Sequence, residues 1–194
     1  MKHLIFGYGS LINTESRVRT ANTGKVVVVR IQGFQRAWNF YNSKKNRTAL
    51  GVVSNINAKC NGVIVEVETD NLAAFDAREK GYDRVEVNPK NVEVLKGELP
   101  PGKVWIYMPQ KPLLPTKNSP IEQSYVDVVL AGCLEFSSEF AKELIIRTVY
   151  WEQAWVNDRA SPNYERYITN PPVEHIDKLL SELIPEAFVK RVEG

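Results

Sequence analysis

HLIFGYGSL, residues 3–11, joins an apolar run to a glycine-rich turn near the start of the chain, and the fold is built outward from it. The run predicts a strand, and the turn follows at its end. Glycine has no Cβ, so the backbone N–H groups of such a turn can approach a ligand closely. Successive N–H groups facing one concavity bind a carboxylate, a phosphate or a developing oxyanion. A tight structural turn would have the same sequence, so this stretch alone leaves both interpretations open.

The composition is that of an ordinary globular protein. The chain has 194 residues, 43% of them hydrophobic and 25% charged, which suits a single domain with a proper core. A formal net charge of +2 gives no sign of a polyanionic partner. The densest basic stretch, residues 44–47, lacks the interleaved aromatic residues of a nucleic-acid site. We therefore expect no nucleic-acid partner.

Cysteines and histidines are few. Cys60 and Cys133 cannot form a disulfide framework and favour a reducing compartment. With only His3 and His175 beside them, and nothing at zinc spacing, we expect no metal site. The opening apolar run is too short for a signal peptide or a membrane span. These observations predict a cytoplasmic protein with no membrane partner.

The first part of the chain has the pattern of a β-sheet. Several segments are rich in β-branched residues or alternate between apolar and polar side chains. They are residues 26–31, 48–56, 62–68, 84–87 and 104–108. Many short strands with few helices between them favour an antiparallel-rich sheet or barrel over a doubly wound parallel sheet.

The pattern changes after a proline-rich connector. Four prolines lie within residues 109–120, which excludes regular structure there. Beyond it, apolar residues recur at helical spacing in three stripes, which begin at Ile121, Phe140 and Ile176. We predict a barrel over residues 1–118 and an α-helical C-terminal segment over residues 119–194. The segment would pack on the barrel, so that the two form a single structural domain.

One helix is predicted inside the strand-rich part. Asp70 or Asn71 is a suitable N-cap, and Gly81 is a suitable C-terminal stop. Leu72, Phe75 and Glu79 occupy positions i, i+3 and i+7, which form a single stripe on a helix. The face that should contact the core therefore ends in a carboxylate.

That carboxylate belongs to Glu79. A buried acid without partners is costly, so such a group is paired, protonated or catalytic. A general base needs a position of this kind, accessible but poorly solvated, where its pKa rises towards working pH. The alternative is a surface ion pair with one of three neighbouring cations, Arg78, Lys80 or Arg84.

Together the two features are more specific than either alone. FGYGSL, residues 6–11, is followed about seventy residues later by DAREKGYDR, residues 76–84. This order resembles the gamma-glutamylcyclotransferase-like family, and FGYGSL with RE-x-x-Y-x-R is closest to its ChaC-type glutathione-specific branch. RTALGVV, residues 47–53, and CNGV, residues 60–63, fit the same order. The resemblance covers roughly residues 1–135.

The resemblance implies an α+β fold, a small antiparallel-rich β-barrel with flanking helices, and release of a gamma-glutamyl group as 5-oxoproline. In that reaction the substrate's own α-amine attacks its γ-carbonyl, so the protein needs neither a nucleophile nor a cofactor. It must hold the glutamyl chain curled, stabilise the oxyanion and move a proton. The resemblance places Glu79 as the catalytic base, which afterwards returns the proton to the departing amine.

The expected partner is a small gamma-glutamyl compound, and the expected assembly is a monomer or homodimer. The turn would supply the backbone N–H groups that bind the substrate. Tyr125 would line the pocket by analogy with the family's helix, although a core tyrosine with a satisfied hydroxyl would fit the sequence equally. The substrate-binding residues predicted in this way are Gly7, Tyr8, Gly9, Ser10, Leu11 and Tyr125.

Other functions stay open at this stage. The same chemistry would serve gamma-glutamyl amines or gamma-glutamyl amino acids, and Lys44, Lys45 and Arg47 would attract an anionic peptide such as glutathione if they border the pocket. A non-catalytic interaction module could use the same barrel, with residues 119–194 as its working surface. Such a module needs no carboxylate on an apolar stripe, so the presence of Glu79 favours the enzyme.

Overall fold

The computed structural model describes residues 2–19 and 26–194, with backbone alone for Thr69, Asp70, Asn71, Ala74 and Arg78. This part of the chain holds ten strands and six α-helices. The strands are β1 His3–Gly7, β2 Val27–Asn42, β3 Arg47–Val67, β4 Tyr82–Val87, β5 Val92–Lys96, β6 Lys103–Pro109, β7 Ile121–Glu122, β8 Thr148–Val149, β9 Trp155–Asn157 and β10 Val192–Glu193. The helices are α1 Thr14–Val18, α2 Thr69–Arg78, α3 Gln123–Leu134, α4 Ser138–Ile146, α5 Val173–Leu183 and α6 Pro185–Val189.

One large sheet organises the molecule. Strands β2 and β3 form a long antiparallel hairpin, and β1 pairs antiparallel with the end of β3. On its other edge β1 pairs parallel with β6, which in turn pairs antiparallel with β4. This arrangement places the end of β1 near the middle of the sheet, so the glycine-rich turn begins inside the core rather than at its surface.

The structure confirms the α+β class, and its long strand pairings are antiparallel as expected. The short pairings of β7, β8, β9 and β10 are parallel. Within the described residues no pairing joins the outer strands to close the sheet, so the word barrel describes it only loosely.

The two long strands differ from the prediction. The separate strands expected at 48–56 and 62–68 are one continuous strand, β3. Its partner β2 continues well beyond residue 31, through residues whose polar side chains obscure the pattern. At Gly33 the backbone has a φ of +98°, and the register with β3 shifts there. Glycine tolerates that conformation, so a bulge lets one strand bend and continue.

The C-terminal part contributes both helices and strands. Helix α3 is buried on nearly all sides, which differs from the one-sided stripe expected for it. Helices α4 and α5 both pack against α3, and Arg159 links Asp127 on α3 to Asp177 on α5. The boundary at residue 118 stays a prediction.

The apolar stripe that begins at Phe140 ends early. Helix α4 stops at Ile146, and Thr148 already pairs with β2. Trp151 lies beyond the end of α4 and Trp155 lies in β9, and their rings pack together with centroids 5.2 Å apart. No helix in residues 2–19 and 26–194 is long and apolar enough to span a membrane.

Candidate active site

The glycine-rich turn leaves β1 at Gly7 and passes directly into a 3₁₀ helix, Ser10–Ile12. A Cβ on Gly7 would lie 2.6 Å from the Leu11 Cβ, and a Cβ on Gly9 would lie 2.7 Å from the Tyr125 hydroxyl oxygen. Real Cβ atoms do not approach other atoms so closely. A larger residue would therefore clash at either position. The reason is close packing, because neither Gly7 nor Gly9 has a positive φ angle.

The Tyr8 residue is fixed from two directions. Its hydroxyl donates a hydrogen bond of 2.6 Å to the Tyr107 carbonyl oxygen, and its own carbonyl accepts one of 2.9 Å from Arg36 Nε. Both Tyr8 and Arg36 are buried. These contacts hold the turn in one conformation, which a preorganised binding site requires.

A cavity of about 60 Å³ opens beside this turn. It is lined by every residue that the sequence predicted for the site, together with aromatic and aliphatic neighbours from β1, β3, β4 and β6. The lining residues are Phe6, Gly7, Tyr8, Gly9, Ser10, Leu11, Leu50, Glu79, Tyr82, Tyr107 and Tyr125. The structure thus brings the two separate motifs to one place, while the roles of these residues stay predictions.

Glu79 reaches the cavity from the end of α2. The helix begins at Thr69 with Glu68 as its N-cap, so the expected caps Asp70 and Asn71 lie inside it, and their side chains lie outside the described residues. Glu79 is the C-cap, and its N–H donates to the Phe75 carbonyl oxygen at 2.9 Å. Phe75 is buried and anchors the helix, so the partly exposed Glu79 is placed firmly at the cavity.

The chain then turns sharply into β4. Gly81 has a φ of +97°, which favours glycine, and confirms the predicted stop. The Tyr82 N–H donates to the Glu79 carbonyl oxygen at 3.0 Å, and the Tyr82 hydroxyl donates to the Leu50 carbonyl oxygen at 3.1 Å. The turn therefore delivers a second lining residue immediately after Glu79.

Four tyrosines line the same cavity as Glu79, and its charge acts on Tyr8 and Tyr82 among them. Burial raises the pKa of Tyr8 well above its usual value, and the negative charge of Glu79 raises it further. Burial likewise raises the pKa of Tyr82, with Tyr8 and Glu79 adding to the effect. Both side chains consequently remain neutral hydroxyls at ordinary pH, and each donates its one proton to a backbone carbonyl, Tyr8 to Tyr107 and Tyr82 to Leu50.

A polar network beside the cavity anchors α2 to the sheet. Tyr107 donates a hydrogen bond of 2.7 Å to Asp76 Oδ1, and Arg84 Nη1 lies 3.0 Å from Asp76 Oδ2. Arg84, one of the three cations considered as a surface partner of Glu79, is thus paired with Asp76. Lys80 is exposed, and the side chain of Arg78 lies outside the described residues.

A second cavity of about 210 Å³ adjoins the first and shares Ser10, Glu79, Tyr82 and Tyr125 with it. One wall comes from the loop between β9 and α5, at Tyr164, Glu165 and Arg166. The Tyr164 ring packs edge-on against Tyr125, with centroids 4.8 Å apart. The C-terminal part of the chain therefore shapes this outer cavity.

Arg47 holds that loop in place. Its guanidinium lies 4.8 Å from the centre of the Tyr164 ring, and its Nη2 lies 2.5 Å from Glu165 Oε2. Arg47 borders the outer cavity as the sequence suggested, whereas Lys44 lines a neighbouring cleft. Lys45 lies 3.9 Å from a Glu165 oxygen.

Tyr125 combines both of the roles considered for it. It is buried on α3, and its ring packs edge-on against Trp38 at 5.8 Å, as a core residue would. Its hydroxyl lies against Gly9 and lines both cavities. The sequence did not single out Leu50, Tyr107 or Arg36, because their approach to the turn depends on strand pairing rather than on local motifs.

Gly9→Ala tests the close contact between the turn and α3. The added methyl group would overlap the Tyr125 hydroxyl, so we expect a loss of about 1–3 kcal/mol in the free energy of unfolding. Tyr125→Phe removes that oxygen, so the double variant should lose less than the sum of the two single variants. Urea denaturation of the four proteins measures this coupling, and strictly additive losses would contradict the contact.

Glu122, at the end of β7, gives a pH dependence that can be measured. It is buried with an oxygen 3.5 Å from Arg47 Nη1, and burial raises its pKa from 4.5 to about 7, more than Arg47 offsets. The folded state therefore binds more protons than the unfolded state between these values, and stability from this group is lost as pH rises through them.

Glu122→Gln cannot ionise and should escape that loss. We expect the variant to gain stability relative to the natural protein as pH rises from about 5 to about 8. Denaturation at the two pH values gives the difference. If the stability of the variant relative to the natural protein is the same at both pH values, or falls as pH rises, the raised pKa is contradicted.

Comparison with known proteins agrees with this architecture. Residues 5–126 match the family model described as gamma-glutamyl cyclotransferase, AIG2-like, and this match includes the turn, Glu79 and Tyr125. The chain belongs to that family. A search of curated proteins found no match.

Solved structures share the fold. A protein described as gamma-glutamyl cyclotransferase superposes with a TM-score of 0.61 at 18% identity, over 92% of this chain and 98% of that one. An uncharacterized protein from Homo sapiens gives 0.57 at 18% identity, with the same coverage of 92% and 98%. YkqA from Bacillus subtilis gives 0.56 at 14% identity, over 74% of this chain and 53% of that one.

Proposed function

We propose that this protein cleaves a gamma-glutamyl amide and releases 5-oxoproline. The observation that carries the proposal is that the glycine-rich turn and Glu79 line one cavity. The substrate's α-amine forms a bond to its own γ-carbonyl carbon, and the bond from that carbon to the leaving nitrogen breaks. Starting from the ammonium form, the attacking nitrogen loses two protons and the leaving nitrogen gains two, so that the amine departs as an ammonium and no water is consumed. Membership of the cyclotransferase family supports this reaction.

Glu79 is the proposed general base. Its carboxylate is partly exposed at the cavity, and the helix end and the following turn fix its backbone. It takes a proton from the substrate ammonium, which makes the amine nucleophilic, and returns the proton to the departing amine. Proton transfer by a positioned side chain typically contributes about 10²–10⁴-fold to a rate.

The turn is the proposed binding site for negative charge on the substrate. The residues of the turn line the cavity, and packed glycines and buried hydrogen bonds hold their backbone in one conformation. Holding the glutamyl chain curled against them brings amine and carbonyl together, which lowers the entropic part of the barrier.

The outer cavity is the proposed site for the leaving portion. Arg166 and Lys80 line it and have no acidic partner among the described residues, whereas Arg47 is already paired with Glu122 and Glu165. Unpaired cations favour a leaving portion that carries a carboxylate. Glutathione has such a carboxylate, and the resemblance to the ChaC-type branch favours it too, so it is the first substrate that we propose.

A substrate panel tests the function. Purified protein is incubated with glutathione, a gamma-glutamyl amino acid and a neutral gamma-glutamyl alkylamide, and 5-oxoproline is measured in each case. We expect 5-oxoproline to be released, with the highest kcat/KM for glutathione. Binding without release would favour the interaction module, and release from the alkylamide alone would contradict the proposed substrate.

Arg166→Glu tests the leaving-group site separately. We expect KM for glutathione to rise several-fold while the value for the neutral alkylamide is little changed, because only glutathione places a carboxylate there. Lys142→Glu on α4, which lines a different cleft, is the matched charge reversal. An equal effect of Arg166→Glu on both substrates would show that the residue does not discriminate between them.

A further inference from the structure

Arg36 on β2 carries a positive charge into the core behind the turn. Its side chain is fully buried, with a relative exposure of 0%. Nε donates to the Tyr8 carbonyl oxygen at 2.9 Å, Nη1 donates to Asn61 Oδ1 at 3.0 Å, and Nη2 donates to the Asn61 carbonyl oxygen. All three acceptors are neutral, and none of the carboxylates in the described residues pairs with it. Because arginine stays protonated in proteins, the charge is permanent.

A purely structural role explains this arrangement poorly. Burying a charge without a counter-ion is unfavourable, and a neutral side chain of similar shape would join the same strands at lower cost. Arg30 on the same strand shows the usual solution, since it pairs with Glu93 and Glu143. The unpaired charge of Arg36 instead lies against one particular peptide group of the proposed site.

That peptide group joins Tyr8 to Gly9. In a trans peptide the N–H points opposite to the C=O, so holding the Tyr8 carbonyl on Arg36 directs the Gly9 N–H away from Arg36. A hydrogen bond from a cation also polarises the peptide and makes its N–H a stronger donor. Both effects increase the affinity of this N–H for a negatively charged group.

Arg36 is itself held in a fixed orientation. Asn61 accepts two of its hydrogen bonds and is fully buried, and Asn61 Nδ2 donates to the Phe140 carbonyl oxygen of α4 at 3.0 Å. The guanidinium is thus anchored between the sheet and a helix. It has little freedom to leave the turn.

We propose that Arg36 is a positioning residue that orients and polarises the Tyr8–Gly9 peptide, so that this peptide stabilises negative charge on the reacting gamma-glutamyl group. The inference rests on the proposed function, because it assigns Arg36 to the same site. Arg36 does not touch the substrate, and it acts through the Gly9 N–H.

Two substitutions separate charge from hydrogen bonding. Arg36→Gln keeps a donor near the Tyr8 carbonyl but has no charge, and Arg36→Lys keeps the charge but loses the planar fork. Arg30→Gln is the control, because it removes two ion pairs from the same strand without contact to the turn. For each protein, kcat and KM are measured on the panel compound that the natural protein turns over best, and folding is checked by thermal denaturation.

We expect Arg36→Gln to lower kcat about tenfold or more while remaining folded, because a weakened oxyanion donor acts mainly on the transition state. Arg36→Lys should retain more activity than Arg36→Gln. Arg30→Gln should lower the melting temperature and leave kcat unchanged.

A folded Arg36→Gln with natural kcat would overturn the inference and leave the proposed function intact. If that variant does not fold, Arg36→Lys decides, because its ammonium cannot reproduce the planar set of three hydrogen bonds that orients the peptide. A folded protein with reduced kcat supports the role, and one with natural kcat overturns it. A natural protein that releases no 5-oxoproline from any panel compound would overturn the proposed function, and this inference with it.

Discussion

Glu79→Gln is expected to abolish 5-oxoproline release while substrate still binds. Glutamine has nearly the same shape but cannot accept the ammonium proton, so the rate should fall by about 10²-fold or more. The fold should survive, because Glu79 lies at the helix end and the backbone hydrogen bonds that fix it do not involve its carboxylate. Steady-state kinetics together with calorimetric titration of substrate into the variant measures both effects.

The control for this change is Glu86→Gln. Glu86 lies on β4, is half-exposed and pairs with Lys103 away from the cavity lining, so its loss should leave the rate unchanged. A Glu79→Gln protein with the natural rate would show that Glu79 is structural and that another group moves the proton. A large loss of stability in that variant would point to a structural ion pair instead.

Removal of residues 119–194 is expected to give aggregated or inactive protein. Ile121 pairs with Thr48 on β3, and α3 is buried on nearly all sides, so the deletion would expose apolar core. It would also remove Tyr125 and the loop wall at Tyr164 and Glu165 from the cavities. Size-exclusion chromatography and the 5-oxoproline assay on the 1–118 protein test this expectation.

Removal of residues 192–194 alone is the matched control. It deletes β10, whose residues are exposed, and leaves Arg191 with its hydrogen bond of 2.6 Å to Gln123. We expect this shorter protein to remain soluble and active. A 1–118 protein that stayed soluble, monomeric and fully active would show that the C-terminal part is a separable module and would favour the interaction-module hypothesis.

Local sequence patterns identified much of the fold. The strand of residues 3–7, the turn after it and the helix ending near Glu79 each depend on neighbouring residues, so periodicity and glycine placement revealed them. The length of β2 was missed because Arg36 and Asn39 are buried polar residues that break the apolar pattern. The burial of α3 on both sides was missed because periodicity reports only the more apolar face.

Only those parts of the site that form local sequence motifs could be predicted. The turn was found because of its glycines, and Glu79 because it is a carboxylate on an apolar helix stripe. The structure shows that both line one cavity. Tyr107, Arg36 and the Tyr164 loop come from distant parts of the chain. Their positions follow from strand register and helix packing, which a single sequence does not encode locally.

Isotope labelling tests the central claim most directly. The protein is incubated with glutathione in water enriched in oxygen-18, and the products are analysed by mass spectrometry. Intramolecular attack incorporates no solvent oxygen, so we expect unlabelled 5-oxoproline together with an equal amount of free cysteinylglycine. Glutamate carrying one oxygen-18 atom would show that water is the nucleophile and would contradict the account.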